Sequence, residues 1–170
     1  MSVYKPDIYT KNIYSINYDK LKELGVKYLV YDLDNTLGLI DQEEIGKDER
    51  VFLNDLAKEF TIIIASNNSH KKRVERFAKG LNCEYIYRTM KPTRKLYDFI
   101  KKKTKKMNEV CVIGDQVVTD VIAGNRFGMI SILIDPLAEK DLKITGLNRK
   151  IEKHLLKKMN LKRGEYYDKE

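Results

Sequence analysis

The sequence is short of residues that staple folds or interrupt them. Two cysteines, Cys83 and Cys111, are too few to build a disulfide framework across 170 residues. They read as reduced thiols of an intracellular protein. Three prolines and nine glycines exclude collagen-like and low-complexity chains. Apolar runs are short: stretches such as Ile62-Ile63-Ile64-Ala65 fall far below the roughly 18 residues of a membrane span. The opening Met1-Ser2-Val3-Tyr4-Lys5-Pro6 has no apolar h-region, so no secretory signal is expected. These absences point to a cytoplasmic protein.

What is present is enough to fold. Hydrophobic residues make up 42% of the chain, which at this length supports one self-sufficient core. The expectation is a single domain over 1–170: a leader at 1–19, a core at about 20–142 and a basic helical tail at 143–170. The net charge is +8. Such a balance favours acidic partners: nucleic acid, an anionic membrane face or phosphorylated substrates. Lysines number 25 against 8 arginines. Base-edge reading uses arginine forks, so the lysine excess argues against sequence-specific nucleic-acid binding. A solvated lysine coat is the plain alternative.

Short, nearly continuous apolar runs at 27–33, 60–65, 84–87, 110–114 and 129–134 read as strands covered on both faces. Helical spacing at 48–59, 70–80, 93–105 and 117–124 fills the gaps, with Gly124 ending the last of these. This alternation predicts an α/β class: a Rossmann-like parallel sheet flanked by helices. Residues 1–20 read as an irregular, tyrosine-rich leader. In the tail, Leu147, Ile151, Leu155 and Met159 fall four apart, one stripe of a helix. That stripe can dock on the domain itself or lie on an anionic membrane.

Ligands in such sheets bind beyond the carboxyl ends of the strands. Four of those ends carry polar groups: Asp32-Leu33-Asp34-Asn35-Thr36, Ser66-Asn67-Asn68, Lys91-Pro92, and Gly114-Asp115 with Asp120 five residues on. Carboxylates converging on one rim repel unless a cation sits among them, and oxygen-only ligands select a hard ion such as Mg²⁺. A carboxylate beside such an ion can attack phosphorus and form an aspartyl-phosphate. A second carboxyl two residues on can protonate the leaving oxygen and then activate water. Hydroxyl, amide and ammonium groups can hold the phosphoryl oxygens.

These four motifs, in this order, resemble those of the haloacid-dehalogenase (HAD) superfamily. Within it they look like subclass IIIA and the YqeG-type family, relatives of mitochondrial phosphatidylglycerophosphatase. The phrases Tyr31-Asp32-Leu33-Asp34-Asn35-Thr36-Leu37 and Gly124-Asn125-Arg126-Phe127-Gly128 look typical of that family, and the resemblance spans roughly 20–155. It implies Asp32 as nucleophile and metal ligand. Asp34 is then the acid/base, lending its backbone carbonyl to the metal. Lys91 neutralises phosphoryl charge, and Ser66, Asn67 and Thr36 serve the phosphate site. Asp115 is implied as a metal ligand and Asp120 as support behind the metal. An aspartate at 34 sets the chain apart from the superfamily's dehalogenases and transport ATPases, which implies phosphatase or phosphotransferase chemistry.

Only 29 residues separate Thr36 from Ser66, and 22 separate Asn68 from Lys91. Neither gap holds a cap domain, so the site is expected to be open to a bulky substrate such as a lipid phosphate. Oligomerisation is the other way to cover it. Two functions follow as expectations. One is a Mg²⁺-dependent phosphomonoester hydrolase, with phosphatidylglycerophosphate as the implied substrate and peripheral contact at the inner face of the membrane. The other is a basic RNA-, ribosome- or membrane-binding module with a slow or vestigial phosphatase site.

Overall fold

A computed structural model describes residues 2–138 and 143–168, the side chains of 143–149 and 152 excepted. Its centre is a sheet of five parallel strands: β2 (Tyr28–Tyr31), β3 (Thr61–Ala65), β4 (Cys83–Ile86), β5 (Val110–Gly114) and β6 (Ile130–Ile134). Their order is β4-β3-β2-β5-β6. The chain winds outward from β2 through β3 to β4, then returns to place β5 on the other side of β2. Neighbouring connections therefore diverge between β2 and β5, and a crevice opens at the carboxyl ends of that pair.

Alternation within each strand assigns its side chains to two cores, which is why the strands read as continuous apolar runs. Leu29, Tyr31, Ile62, Ile64, Cys111 and Ile113 face α2 (Lys47–Leu56) and α3 (Lys71–Ala78), through Leu53, Val74 and Phe77. Val30, Ile63, Ala65, Val110 and Val112 face α4 (Arg94–Lys101) and α5 (Ile122–Arg126), through Leu96, Ile100 and Ala123. Each β2-to-β3 and β3-to-β4 connection holds a single helix, so no cap domain is inserted.

The sheet is wider than the sequence suggested. Residues 8–10, read as leader, form β1 (Ile8–Thr10), which pairs in parallel with β6. A further edge strand, β7 (Tyr167–Asp168), pairs antiparallel with β1, so the sheet is mixed rather than wholly parallel. Between them α1 (Tyr18–Glu23) leads into β2, with the Asn17 side chain accepting from the Lys20 N–H as a cap.

The segment expected as a helix ending at Gly124 also differs. A π-helical turn at Val117–Val121 runs straight into α5. Gly124 lies inside α5, where a Cβ would stand 3.1 Å from the Ser131 Cβ of β6. The turn itself is made at Gly128, with φ +74.

The tail forms α6 (Lys143–Lys158). Leu156 is buried against Tyr9, Val117, Val121 and Leu133, with Leu155, Met159 and Leu161 beside it. Ile151, in the expected stripe, is 45% exposed, and the Leu147 side chain lies outside the described residues. The end of the tail thus packs on the domain. Among the described residues no helix is long and apolar enough to cross a membrane.

Candidate active site

The first motif leaves β2 as a tight loop. The Asp32 N–H donates to the Ile113 carbonyl at 2.9 Å, carrying the β2–β5 ladder one residue past the strand. The chain then turns back, with Asn35 at φ 62 and its N–H donating to Gly38 at 2.8 Å. Asparagine tolerates this left-handed backbone better than most residues. Thr36 is buried within the turn, its Oγ1 without a hydrogen-bond partner among the described residues. Tyr31 lies opposite Ile64 of β3 and Ile113 of β5, so the motifs that follow these strands share one edge.

Lys91 reaches into the middle of that edge with a side chain 1% exposed. Its Nζ lies 2.6 Å from Asp32 Oδ1 and 2.7 Å from Asp120 Oδ1, and it donates to the Ala65 carbonyl at 2.8 Å. Burial disfavours the ammonium's charge, but Asp120 and Asp32 outweigh burial and hold its pKa above the usual lysine range. Asp120 Oδ2 accepts from the Gln116 N–H at 3.2 Å and from Thr119 Oγ1 at 3.1 Å. Both Asp120 oxygens therefore face protein donors.

Carboxylate oxygens of Asp32, Asp115 and Asp120 all lie within 4.8 Å of one another. Burial raises the Asp32 pKa well above the carboxylate range; Lys91 opposes the rise, and Asp120 and Asp115 add to it. Three acidic side chains and one ammonium thus share a buried cluster. Such a group of carboxylates could hold a metal ion, and its all-oxygen donor set suits a hard divalent one. The residues present thus fit a metal site.

Asp34 stands apart from this cluster. Its Oδ1 lies 2.7 Å from Nη1 of Arg73, a buried residue in the first turn of α3. Burial raises the Asp34 pKa and Arg73 pulls it back. Asn67 turns its amide to the protein: Oδ1 accepts from the Lys91 N–H at 2.7 Å and from Thr89 Oγ1 at 2.6 Å. Ser66 is buried, and its Oγ accepts from the Asn68 N–H at 3.0 Å, which leaves the hydroxyl proton to donate elsewhere.

A family model for mitochondrial PGP phosphatase matches residues 1–137. The chain belongs to the PGP phosphatase family. It is 35% identical over 158 residues to a probable phosphatase, YqeG, of Bacillus subtilis, covering 92% of each chain. It is 27% identical to the phosphatidylglycerophosphate phosphatase 1 of Arabidopsis thaliana, covering 90% of this chain and 47% of that protein. Two solved structures share its fold. A Listeria monocytogenes protein superposes with TM-score 0.54 at 16% identity, over 78% of this chain and 99% of that one. A cobalt-bound deoxy-D-mannose-octulosonate 8-phosphate phosphatase of Haemophilus influenzae superposes with TM-score 0.51 at 13% identity, over 82% and 92%. This member of the PGP phosphatase family is a phosphoric monoester hydrolase with the HAD-like fold, as its motifs suggested.

Two arginines of the site were not singled out in the sequence. Arg73 looks there like the end of a basic run, Lys71-Lys72-Arg73. Its available signal was the four-residue spacing to Phe77, which puts both on the buried face of α3. Arg163 follows α6 and donates from Nη2 to the Asp115 carbonyl at 2.8 Å and from Nη1 to the Ile134 carbonyl at 2.9 Å. Nothing local to residue 163 announces contacts so distant in sequence.

Proposed function

We propose that the protein is a Mg²⁺-dependent phosphomonoesterase working through an aspartyl-phosphate on Asp32. The observation that carries this reading is the buried set of Asp32, Asp115 and Asp120 with the Lys91 ammonium between two of its members. Asp32, Asp115 and the Asp34 carbonyl would hold the ion, with Asp120 behind them. Bound there, Mg²⁺ would act as a Lewis acid that offsets phosphoryl charge.

The chain's own residues do the rest. Asp32 attacks phosphorus, and Asp34 protonates the leaving oxygen. Asp34 then takes a proton from the water that hydrolyses the acyl phosphate. Lys91 shields the incoming phosphate from Asp32. The Ser66 hydroxyl and the buried Thr36 Oγ1 offer hydrogen bonds to phosphoryl oxygens, while Asn67 keeps Lys91 in place.

For substrate we propose a lipid phosphate such as phosphatidylglycerophosphate, met in the cytoplasm at the inner face of the membrane. The uncapped edge admits a bulky headgroup, and the named relatives favour this class. Charge placement adds support. α3 begins with Lys71 and Lys72 and α4 with Arg94 and Lys95, with no acid in either first turn. Positive charge opposes the helix dipole there, so it weakens the helices while drawing anions to the carboxyl edge of the sheet.

The test is hydrolysis of p-nitrophenyl phosphate with Mg²⁺ and with EDTA, by the wild type and Asp32→Asn. Turnover that needs the metal and vanishes in the variant is expected. Equal turnover by the variant sinks the nucleophile assignment. Phosphatidylglycerophosphate in mixed vesicles, against soluble sugar phosphates, then tests the lipid.

A further inference from the structure

Arg73 is the one arginine among the buried charged residues described. Its surroundings leave the guanidinium little choice of orientation. Nη1 lies 2.7 Å from Asp34 Oδ1, and Nη2 donates to the Leu39 carbonyl at 3.1 Å. The guanidinium sits 5.1 Å from the ring centroid of Phe77, one turn further along α3. Phe77 in turn backs on Gly38, where a Cβ would come within 2.6 Å of the ring. The first-motif loop, the aromatic ring and the carboxylate of Asp34 enclose a planar fork on three sides.

Stability alone is a poor reason for this arrangement. A guanidinium taken out of water loses its hydration, and a cation in the first turn of a helix faces the positive end of the dipole. An apolar side chain packed between Phe77 and the loop would tie the same elements without either penalty. What an apolar residue does not do is hold one oxygen of a carboxylate.

We infer, building on the phosphatase reading above, that Arg73 is a positioning residue for the acid–base step: anchored by Leu39 through Nη2, it pairs with Asp34 Oδ1 through Nη1 and so fixes how the carboxyl, which Asn68 also bonds, is turned to the leaving group. In the first half-reaction an Asp32 oxygen bonds to phosphorus. The P–O ester bond breaks with its electrons on the leaving oxygen, and the Asp34 carboxyl proton passes to that oxygen, releasing an alcohol. In the second, a water oxygen bonds to phosphorus and gives one proton to Asp34. The phosphorus–Asp32 bond breaks, its electrons return to the carboxylate, and inorganic phosphate leaves. Arg73 exchanges no proton in either half.

Leaving-group dependence tests this. An alkoxide needs a proton as it departs, whereas 4-nitrophenolate leaves without one. The first turnover of the full-length protein is followed by rapid quench with an alkyl phosphate and with p-nitrophenyl phosphate. Arg73→Gln, which removes the charge and the reach to Asp34 while keeping a polar side chain, is expected to slow alcohol release about thirtyfold or more, with nitrophenol release changed less than about threefold. The ratio of the two rates within one variant does not depend on the folded fraction. Equal slowing of both substrates, or no slowing, overturns the proposal.

Urea unfolding of Arg73→Gln, Asp34→Asn and the double variant provides a readout independent of turnover. The double variant's midpoint is expected to lie no lower than that of Arg73→Gln; additive shifts overturn the pairing. A wild type that hydrolyses neither substrate defeats the phosphatase reading instead, and the unfolding cycle still judges the pair.

Discussion

Asn67 grips Lys91 by its backbone. Its Oδ1 accepts the Lys91 N–H at 2.7 Å, and its Nδ2 donates to the Lys91 carbonyl at 3.2 Å. The loop after β3 thereby sets where the loop after β4 enters the site. The same Oδ1 takes the Thr89 hydroxyl at 2.6 Å, which fastens the chain two residues earlier as well.

Asn67→Ala removes these bonds and leaves Lys91 held by its side chain alone. Stability should fall by about 1–2 kcal/mol. A misplacement of the ammonium by about 1 Å should lower kcat on the order of 100-fold. Urea titration and steady-state kinetics check the two effects separately.

Gly114→Ala places a methyl group on Asp120, whose Cγ lies 2.2 Å and Oδ2 2.3 Å from the ideal Cβ position. The carboxylate must then leave either Lys91 or the Gln116 amide. The expected cost is about 1–3 kcal/mol, as for overpacked cores. Mg²⁺ affinity, read by isothermal titration calorimetry, should fall with it, because the cluster loses its arrangement.

Lys72→Glu tests the adverse charge at the start of α3. Replacing a cation by an anion in the first turn should stabilise the protein by about 0.3–1 kcal/mol at low salt. The same change should raise KM for an anionic substrate while leaving kcat unchanged. A rise in thermal midpoint without any change in KM would confine the charge to a purely structural effect.

Alkaline pH should unfold the protein partly through Tyr9. Burial and the hydrogen bond to Asp135 at 2.5 Å push this phenol up to about 12. The sign follows: between pH 10 and 12 the unfolded chain has released the proton and the folded one has not, so stability falls as pH rises. The effect should be about 1–2 kcal/mol over that window. Tyr9→Phe should flatten the limb in guanidinium titrations at pH 9 and pH 11.

The candidate site at the strand ends was legible because its chemistry is written in single residues. A polar residue after an apolar run is conspicuous, and Asp32, Ser66 and Asp115 each end a run in that way, while Lys91 stands before a proline a few residues past the run at 84–87. The five central strands were legible for the same reason, since burial on both faces makes them uninterrupted. The edge strands were not. Ile8-Tyr9-Thr10 is too short for periodicity to register, and it becomes a strand because β6 offers it a free edge.

Roles that depend on partners far away in sequence escaped in the same manner. Asn67 reads as a phosphate-site amide, and its geometry instead turns that amide to Lys91. Arg73 reads as one of three bases beginning a helix until the first-motif loop packs on top of it. Leu156, outside the stripe of every fourth residue, is the tail residue that enters the core, packed with Val117 and Val121 of the π-helical turn while Leu155 and Met159 of the stripe lie beside it.

Arg163 bears on how the molecule comes into being. A ribosome makes the chain from its amino end, and residues 32, 66, 91, 115 and 120 are all released before 163. The carbonyl that follows β5 at Asp115 waits for a guanidinium translated 48 positions later. A nascent chain thus holds all five of these candidate site residues before it holds the clamp across β5 and β6. The sheet is complete only near the end of synthesis, when the tail folds back over Tyr9 and adds β7 to its edge.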